Sequence, residues 1–470
     1  MKLVLLSGGS GKRLWPLSND ARSKQFLKVM RDKQNNQISM LQRVWGQLKR
    51  TGLAKESLIS TSVAQVEMIK SQIGIDVPLL TEPERRDTFP AIALAATYLF
   101  SETGCSLDEI VGVLPVDPYV DDSFFLKVKE MEEVLTLSKA DIALIGVTPN
   151  YPAEKFGYIV PKNDNLNNYK DVDYFIEKPE EQKAKELIEK NALWNCGVFA
   201  FKLGYLIDIL KEKNIPTDYN KLLSNYNYMP KNSFDYEIVE KANKIITLEY
   251  EGYWKDLGTW NSLTEEMSTN LLGKGVISED VFNTNVVNEL DIPITVIGVS
   301  NAIIAASPDG ILVSEKDSSQ RIKEYISDFD GRPMYEEYSW GWYRVLEYTK
   351  YVAGNEVLIK RIGINAGKNM SYQMHFKRSE NWTITKGEGF FVIDDKLIHI
   401  RSGDIIQIPI ASKHSVQAIT DMEIIEVQTG TELVEADKHI IADSWDDIVN
   451  ACKGESGEKI SNQKNSVLNS

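Results

Sequence analysis

Residues 1–18, MKLVLLSGGSGKRLWPLS, decide the fold of the first half of the chain. The apolar run at residues 2–6 ends in a glycine-rich turn, a pattern typical of a first strand buried on both faces of a parallel α/β sheet. Further apolar runs recur downstream, at residues 112–114, 142–147 and 198–201. Helical patterns separate these runs, so we predict an α/β fold with a doubly wound, mostly parallel sheet up to about residue 265.

The second half of the chain has a different texture. Residues 275–325 form short, β-branched and turn-punctuated runs, and short strands at regular spacing follow from Trp340 to about Gly430. We therefore predict a small β unit and then a β-barrel or sandwich. The predicted segments are an α/β domain at 1–268, a small β domain at 269–330, a barrel domain at 331–452 and a disordered tail at 453–470.

Composition narrows the class of protein. The chain has 470 residues, with 53 Lys and Arg against 68 Asp and Glu, which gives a net charge of −15. Such an acidic surface repels nucleic acid and anionic membranes, so we expect no partner of either kind. Three cysteines are too few for a disulfide framework. With no signal-peptide pattern and no apolar run long enough to span a membrane, we expect a cytoplasmic protein.

The glycine-rich loop after the first strand can form an anion-binding nest from its backbone N–H groups. It is not a Walker A loop, because Lys12 is followed by Arg13 where that motif needs Ser or Thr. It is not a dinucleotide-binding G-x-G-x-x-G either, because Leu14 stands where that motif needs glycine. From these residues alone, a plain tight turn remains an equal alternative.

The longer string is more specific. Residues 8–18 and the following KQFL at 24–27 resemble the signature of sugar-1-phosphate nucleotidylyltransferases, and within them the mannose-1-phosphate guanylyltransferase branch. The resemblance implies that Arg13 and Lys24 are the catalytic cations that neutralise a nucleoside triphosphate. Ser23 departs from the family, which usually has proline before the lysine, and this change predicts a looser backbone around Lys24.

The resemblance continues through residues 81–93, TEPERRDTFPAIA, which correspond to the segment that lines the nucleotide pocket in the family. Asp87 replaces the usual asparagine there. The implied nucleotide contacts are Leu6, Gly8, Gly9, Gly11, Arg86 and Thr88. Capping of the next helix by Asp87 or Thr88 is an alternative role for this segment.

Two aspartates match the family's metal motifs. Asp117 ends a strand in LPVD, and Asp256 lies in WKDLGTW, so the resemblance implies that both carboxylates hold Mg²⁺. Pro118 stands where the family usually has histidine, which puts substrate choice in question. The implied sugar-phosphate contacts are Gly157, Glu177, Lys178 and Asn195. An isolated aspartate after a strand can also be a turn residue, and Glu177–Lys178 can be a solvated surface pair.

The region after residue 340 resembles the two cupin motifs, and more narrowly the C-terminal domain of type II phosphomannose isomerases. The matching residues are QMHFKRSENW at 373–382, then Gly403, Pro409 and His414. Two imidazoles, a carboxylate and an amide oxygen suit Zn²⁺ or another divalent ion. The candidate ligands are Gln373, His375, Glu380 and His414. Polar residues inside a barrel without metal are the alternative.

These motifs support one leading hypothesis and three alternatives. The leading hypothesis is a nucleotidyltransferase that makes GDP-mannose and pyrophosphate from GTP and mannose 1-phosphate, as a homo-oligomer. The second adds a mannose 6-phosphate isomerase in the cupin, which is weakened by Ile440 where the family has an arginine. The third is a related transferase with another sugar 1-phosphate or nucleotide, and the fourth is a structural or regulatory role.

Overall fold

The fold is described from a computed structural model that covers residues 1–9, 12–162, 168–326, 331–352 and 354–453. Two predictions fall outside these ranges. The nucleotide contact at Gly11 is one, and the tail at 453–470, apart from Lys453, is the other.

The chain divides into two compact units. The first contains the described residues up to Ser307 together with those from Ile311 to Ile326. The second contains Pro308–Gly310 and the described residues from Gly331 onward. The small β domain expected at 269–330 thus falls mostly within the first unit, and the boundary expected at 268/269 stays a prediction.

The strands of the α/β part alternate with its helices along the chain. In chain order the strands are β1 (Lys2–Leu6), β2 (Met30–Arg31), β3 (Gln37–Ile38), β4 (Ser57–Ser62), β5 (Leu79–Glu82), β6 (Ile110–Pro115), β7 (Pro118–Val120), β8 (Ile142–Val147), β9 (Tyr158–Pro161), β10 (Lys170–Ile176), β11 (Leu193–Lys202), β12 (Ile245–Tyr250) and β13 (Trp254–Asp256). The helices are α1 (Met40–Thr51), α2 (Val66–Ile73), α3 (Thr88–Thr97), α4 (Asp122–Ser138), α5 (Glu181–Glu189), α6 (Leu203–Glu212), α7 (Tyr219–Ser224), α8 (Phe234–Glu237), α9 (Trp260–Glu265) and α10 (Ile322–Tyr325).

Nine of these strands form one sheet in the order β5-β4-β1-β6-β11-β8-β12-β10-β9. The strands β5, β4, β1 and β6 are parallel, and β8 is parallel to β12. The strand β11 lies antiparallel between β6 and β8, and β10 is antiparallel to both of its neighbours. The predicted doubly wound, mostly parallel sheet is confirmed.

Both faces of this sheet are covered, as the continuous apolar strands require. Leu3 and Leu5 of β1 pack with Phe124 of α4 in one hydrophobic cluster. Val4, which points to the opposite face, packs with Ile92 of α3 in a second cluster. Because side chains alternate along a β-strand, this one strand contributes residues to both hydrophobic cores.

The rest of the first unit is built from short strands. They are β14 (Leu271–Leu272), β15 (Gly275–Ile277), β16 (Asn285–Asn288), β17 (Ile294–Val296), β18 (Ala302–Ser307) and β19 (Gly310–Glu315), whose first residue is assigned to the second unit. The order β14-β16-β18-β19 makes one sheet, and β15 pairs with β17. The pairs β14–β16, β16–β18 and β15–β17 are parallel.

The second unit is a two-sheet β structure of the cupin type. Its strands are β20 (Tyr335–Tyr338), β21 (Gly341–Lys350), β22 (Glu356–Ile364), β23 (Tyr372–Met374), β24 (Arg378–Lys386), β25 (Glu388–Ile393), β26 (Lys396–Arg401), β27 (Ile405–Ile408), β28 (His414–Ala418), β29 (Met422–Gly430) and β30 (His439–Ala442). One sheet runs β20-β21-β22-β29-β24-β27 and the other β26-β25-β28-β23-β30, followed by α11 (Trp445–Lys453). Among the described residues, none of the helices combines the length and apolar character that a membrane crossing needs.

Candidate functional site

The glycine loop is tied to the segment that carries Lys24. Ser23 Oγ donates a hydrogen bond to the carbonyl oxygen of Gly9 at 2.7 Å, and Ser23 is fully buried. A short 3-10 turn, Lys24–Phe26, follows immediately. A side-chain hydrogen bond therefore fixes the segment where the sequence predicts loosening from the missing proline.

Lys24 joins the two aspartates that the sequence singles out. Its Nζ lies 2.7 Å from Asp117 Oδ2 and 3.1 Å from Asp256 Oδ1. Strands β7 and β13 cause this meeting, because their antiparallel register places Asp256 opposite Pro118, the neighbour of Asp117. Three side chains from remote parts of the sequence thus form one cluster.

Charge pairing dominates the electrostatics of this cluster. Burial disfavours the charged form of Lys24, but the carboxylates of Asp117 and Asp256 outweigh it and raise the lysine pKa. Burial also opposes ionisation of Asp256, yet Lys24 and then Lys155 lower its pKa. Since one ammonium nitrogen contacts both carboxylates, a single cation can be shared by them, and their hard oxygen atoms suit Mg²⁺.

A cavity of about 330 Å³ opens beside this cluster at the carboxyl ends of β1 and β6, where parallel sheets bind ligands. Its lining contains five of the predicted nucleotide contacts, namely Leu6, Gly8, Gly9, Arg86 and Thr88, together with Lys24 and Asp117. Arg86 and Thr88 also have structural partners. Arg86 Nη1 donates to Met229 O at 2.6 Å, and Thr88 Oγ1 accepts from Phe234 N at 2.9 Å.

Asp87 caps the start of α3, as the alternative interpretation of this segment predicts. Asp87 is the cap residue, and its Oδ1 accepts a hydrogen bond from Thr88 N at 2.7 Å. Asp87 has a φ of 71°, in a region that residues with a Cβ rarely adopt. Both a structural role and a place in the cavity lining therefore apply to this segment.

Arg13 does not join the cluster in the described part of the chain. Its side chain is exposed, and it does not line the cavity. Its charge, after burial, lowers the pKa of Lys323 in α10, which places Arg13 towards that helix. The catalytic role of Arg13 stays a prediction.

The four predicted sugar contacts lie together. Asn195 N donates to Gly157 O at 2.8 Å, and Lys178 Nζ pairs with Glu177 Oε1 at 2.6 Å. A Cβ on Gly157 would stand 2.5 Å from Glu177 Oε2, so only glycine admits this approach. Glu177 Oε2 is buried and has no hydrogen-bond partner among the described residues, which leaves an acceptor available for a ligand hydroxyl.

Asp235 belongs to the same group, although the sequence prediction gave it no role. Its Oδ1 accepts from Asn195 Nδ2 at 2.8 Å, and it lines the cavity. Burial and then the charge of Glu177 raise the pKa of Asp235 to about 7. The sequence signal for Asp235 was the string SFDY at 233–236, which matches the family. The same string is also typical of an ordinary helix start, so it did not single out Asp235.

Glu82 is a second residue that the prediction missed. It is buried in the cavity lining, its Oε2 accepts from Tyr226 OH at 2.7 Å, and burial raises its pKa. Its Oε1 lies on the side of Gly8, 3.5 Å from where a Cβ of that glycine would stand. The only sequence signal was the Glu-Pro pair within the segment at 81–93.

The second unit brings its four predicted metal ligands together. His375 Nε2 lies 3.4 Å from Glu380 Oε1, and His414 Nε2 lies 3.5 Å from Glu380 Oε2. One ligand atom from each of these three residues lies within 4.8 Å of the others. Gln373 Nε2 is 3.4 Å from His375 Nε2. All four side chains are buried.

The hydrogen bonds of this cluster suit a metal ion. His375 Nδ1 contacts the carbonyl oxygen of Asp437 at 3.2 Å, and His414 Nδ1 contacts that of Ser412 at 3.0 Å. A carbonyl only accepts, so both Nδ1 atoms carry the proton and both Nε2 atoms present lone pairs to the cluster. Gln373 Oε1 and His414 Nε2 are buried without hydrogen-bond partners among the described residues. These donors fit Zn²⁺ or another divalent ion.

Charged neighbours surround the same atoms. Arg378 Nε donates to Glu380 Oε1 at 3.0 Å, and its Nη2 lies 3.2 Å from His375 Nε2. Burial raises the pKa of Glu426 to about 7, with the charge of Glu380 adding to the shift.

Ile440 lies opposite Gln373 in the pairing of β30 with β23, with an exposed side chain. The position where the resemblance predicts an arginine is therefore adjacent to the cluster but apolar.

Comparison with known proteins finds a family match for each part of the chain. The nucleotidyl transferase family matches residues 2–271, and the mannose-6-phosphate isomerase C-terminal family matches residues 333–443. An alginate biosynthesis protein AlgA from Pseudomonas syringae pv. tomato is 29% identical, over 92% of this chain and 94% of that protein. The mannose-1-phosphate guanylyltransferase RfbM of Salmonella typhimurium is 28% identical, over 92% and 95% respectively. A solved structure described as mannose-1-phosphate geranyltransferase from Thermus thermophilus aligns with a TM-score of 0.59 and 26% identity, over 70% of this chain and 99% of that chain.

Proposed function

Because this chain belongs to the nucleotidyl transferase family, we propose that it makes GDP-mannose and pyrophosphate from GTP and mannose 1-phosphate. The observation that carries the proposal is the Lys24–Asp117–Asp256 cluster beside the glycine-loop cavity. Two relatives named for reactions or pathways of mannose and alginate support the sugar.

The groups in and beside the cavity suit the parts of these substrates. Backbone N–H groups of Gly8 and Gly9 receive the triphosphate, and Lys24 neutralises its charge. The buried carboxylate of Glu82 offers an acceptor to the N–H donors of guanine, which favours GTP. Glu177 Oε2 and Asp235 offer acceptors to sugar hydroxyls.

The reaction needs no covalent enzyme intermediate. A phosphate oxygen of mannose 1-phosphate attacks the α-phosphorus of GTP in line, and the bond to the pyrophosphate breaks. Asp117 and Asp256 would hold Mg²⁺, which when bound would supply Lewis-acid stabilisation of the charge on the phosphate oxygens. The protein's contribution is to hold both phosphates in register within a fixed field of positive charge.

A matrix of nucleoside triphosphates against sugar 1-phosphates tests this proposal and the choice of base and sugar. Pyrophosphate release with Mg²⁺ is measured for the native chain and for Lys24→Ala. We expect GTP with mannose 1-phosphate to give the largest signal. Release no higher than in Lys24→Ala for every pair would overturn the transferase, and a better pair would redirect it to the related substrates.

A mannose 6-phosphate isomerase in the second unit is a second candidate function. His414 favours a metal there, because its Nε2 is buried without a hydrogen-bond partner among the described residues and its ligand atom lies within 4.8 Å of those of His375 and Glu380. The apolar Ile440 beside Gln373 speaks against isomerisation, because the resemblance assigns a cation to that position. Conversion of fructose 6-phosphate to mannose 6-phosphate that disappears in His375→Ala would establish it. Inertness at full metal occupancy would leave the unit a binding or assembly role.

A further inference from the structure

Lys155 contacts the candidate metal cluster, and the reaction proposed above does not use it. Its Nζ lies 3.5 Å from Asp256 Oδ2, whereas Lys24 Nζ lies 3.1 Å from Asp256 Oδ1. Both carboxylate oxygens of Asp256 thus face an ammonium group. A divalent cation that binds Asp256 therefore competes with these two ammonium groups for the carboxylate.

Of the two lysines, Lys155 is the easier to displace. Lys24 is held by Asp117 as well, at 2.7 Å, and its side chain is 29% exposed. Among the described residues, Asp256 is the one carboxylate within ion-pair distance of Lys155, whose side chain is 40% exposed. Such a partly exposed pair contributes little stability, so its loss costs little.

A second cavity lies beside the Lys155 side chain. It lies over the ring of Phe156, 4.7 Å from its centroid, at the edge of a cavity of about 680 Å³. Tyr151, Trp194 and Trp254 line this cavity, and so does Asp256. A lysine side chain has a long flexible stem, so its ammonium can turn from Asp256 to a group that enters this space.

We propose that Lys155 is a phosphate-binding residue that exchanges the carboxylate of Asp256 for the phosphate of the sugar 1-phosphate when a divalent cation binds. This inference rests on the proposed function, because that reaction brings a sugar phosphate to the Asp117–Asp256 pair. The released ammonium pairs with the incoming dianion, and Asp256 is left to the cation. Cation and sugar phosphate therefore favour each other's binding, and by linkage the effect is reciprocal.

The test compares Lys155→Met, Lys155→Arg and a control, Lys170→Met, on the full chain. Lys170 makes a similar part-exposed pair with Glu249 at 2.7 Å, away from the cluster. Binding of Mn²⁺ alone is measured by electron paramagnetic resonance, without any sugar. The KM for mannose 1-phosphate and the kcat are measured by pyrophosphate release at saturating GTP and Mg²⁺.

In Lys155→Met we expect Mn²⁺ to bind roughly twofold to fivefold more tightly, because the competing ammonium is gone. The KM for mannose 1-phosphate rises roughly tenfold, because a charge-assisted hydrogen bond to the phosphate is lost. Lys155→Arg keeps the positive charge and stays within about threefold of the native chain in both values. Lys170→Met leaves both unchanged.

Two outcomes overturn the inference and are distinct from failure of the function. If the native chain turns over mannose 1-phosphate but Lys155→Met matches it in both Mn²⁺ affinity and KM, Lys155 is only a surface ion pair. A weaker Mn²⁺ affinity in Lys155→Met would equally overturn the exchange. If the native chain binds Mn²⁺ but releases no pyrophosphate, the proposed function is refuted. The difference in Mn²⁺ affinity between the native chain and Lys155→Met still tests the exchange at Asp256.

Discussion

The two candidate metal centres of this chain are built on opposite plans. In the first unit, Asp117 and Asp256 are partly exposed, with side-chain exposures of 20% and 24%, and lysine ammonium groups already neutralise them. In the second unit, His375, Glu380 and His414 are at most 2% exposed, and ligand atoms are left without hydrogen-bond partners among the described residues. The first plan suits a cation that arrives with substrate, and the second suits a resident ion.

The contrast has a physical basis. Carboxylates that are already paired with lysine at a sheet edge bind a cation weakly until phosphate oxygens complete the coordination. Imidazoles locked by backbone carbonyls inside a barrel are preorganised, and leaving them empty costs unsatisfied buried polar atoms. Substitutions at each centre and removal of metal separate the two plans.

Removal of one carboxylate should abolish most of the transferase activity. In Asp256→Asn we expect pyrophosphate release to fall by roughly 10²–10³-fold, because the developing phosphate charge loses its shared cation. The metal content of the second unit, measured by elemental analysis, should not change. Asp208→Asn, at an exposed carboxylate on α6 that pairs with Lys211, serves as the control. Retention of more than a tenth of the native rate in Asp256→Asn would contradict this assignment.

Metal removal should distinguish the two centres directly. Brief treatment with a chelator followed by gel filtration should stop pyrophosphate release, and Mg²⁺ alone should restore it. About one equivalent of another divalent ion should stay with the protein, because a closed imidazole and carboxylate site releases its ion slowly.

His414→Asn should lower the affinity for that retained ion on the order of 100-fold without changing pyrophosphate release. His399, whose side chain is 49% exposed, gives the matched control as His399→Asn. Loss of transferase activity in His414→Asn, or equal ion retention in both variants, would show that the two centres do not differ in this way.

Asp235 should impose a pH-dependent stability cost on the first unit. Burial and Glu177 raise its pKa to about 7 in the folded state, above the ordinary carboxyl value. The unfolded chain ionises first as pH rises, so the cost is absent below about pH 4, grows towards pH 7 and is complete above it. Asp235→Asn removes the cost, and we expect it to be more stable than the native chain by up to about 3 kcal/mol at pH 8.

Urea unfolding of both proteins at pH 4.5, 6 and 8 measures this difference. The same variant should lose sugar affinity, so stability and function should change in opposite directions. A stability difference that does not grow between pH 4.5 and pH 8 would show that Asp235 is not protonated more readily in the folded chain.

Loss of the hydrogen bond between Ser23 and the glycine loop should have a modest effect. In Ser23→Ala the hydrogen bond to Gly9 O is lost, which costs about 1 kcal/mol and should raise the KM for GTP roughly fivefold with little change in kcat. Ser224→Ala removes a comparable hydroxyl bond to Asn220 O on an exposed helix and is the control. An unchanged KM for GTP would mean that contacts other than the Ser23 hydrogen bond hold the loop.

Much of the fold and the central residues of each candidate centre could be predicted from the sequence, because local sequence patterns mark them. Apolar runs and a glycine turn mark the buried strands, and motif strings marked Lys24, Asp117, Asp256 and the four cupin residues before any pairing was known. The reversed direction of β11 was not predictable, because an apolar run reads the same in either direction and only its neighbours set its sense.

The parts of the site that escaped prediction depend on tertiary contacts. Burial raises the pKa values of Asp235 and Glu82. Lys155 contacts Asp256 because β13 brings that carboxylate within reach. Arg13 shows the reverse, since its motif is specific but its side chain is exposed towards α10. A string of letters identifies a charge, and it does not give the direction in which a flexible side chain points.

The short ribbon of β7 and β13 bears on how this protein comes into being on the ribosome. One of its three paired positions sets Pro118 opposite Asp256, although the two residues are far apart in the sequence. A nascent chain that has emerged only as far as β12 already contains the glycine loop and the first acidic partner, yet lacks the second. Both carboxylates of the cluster are therefore present only once synthesis has passed Asp256, in the last strand of the α/β part.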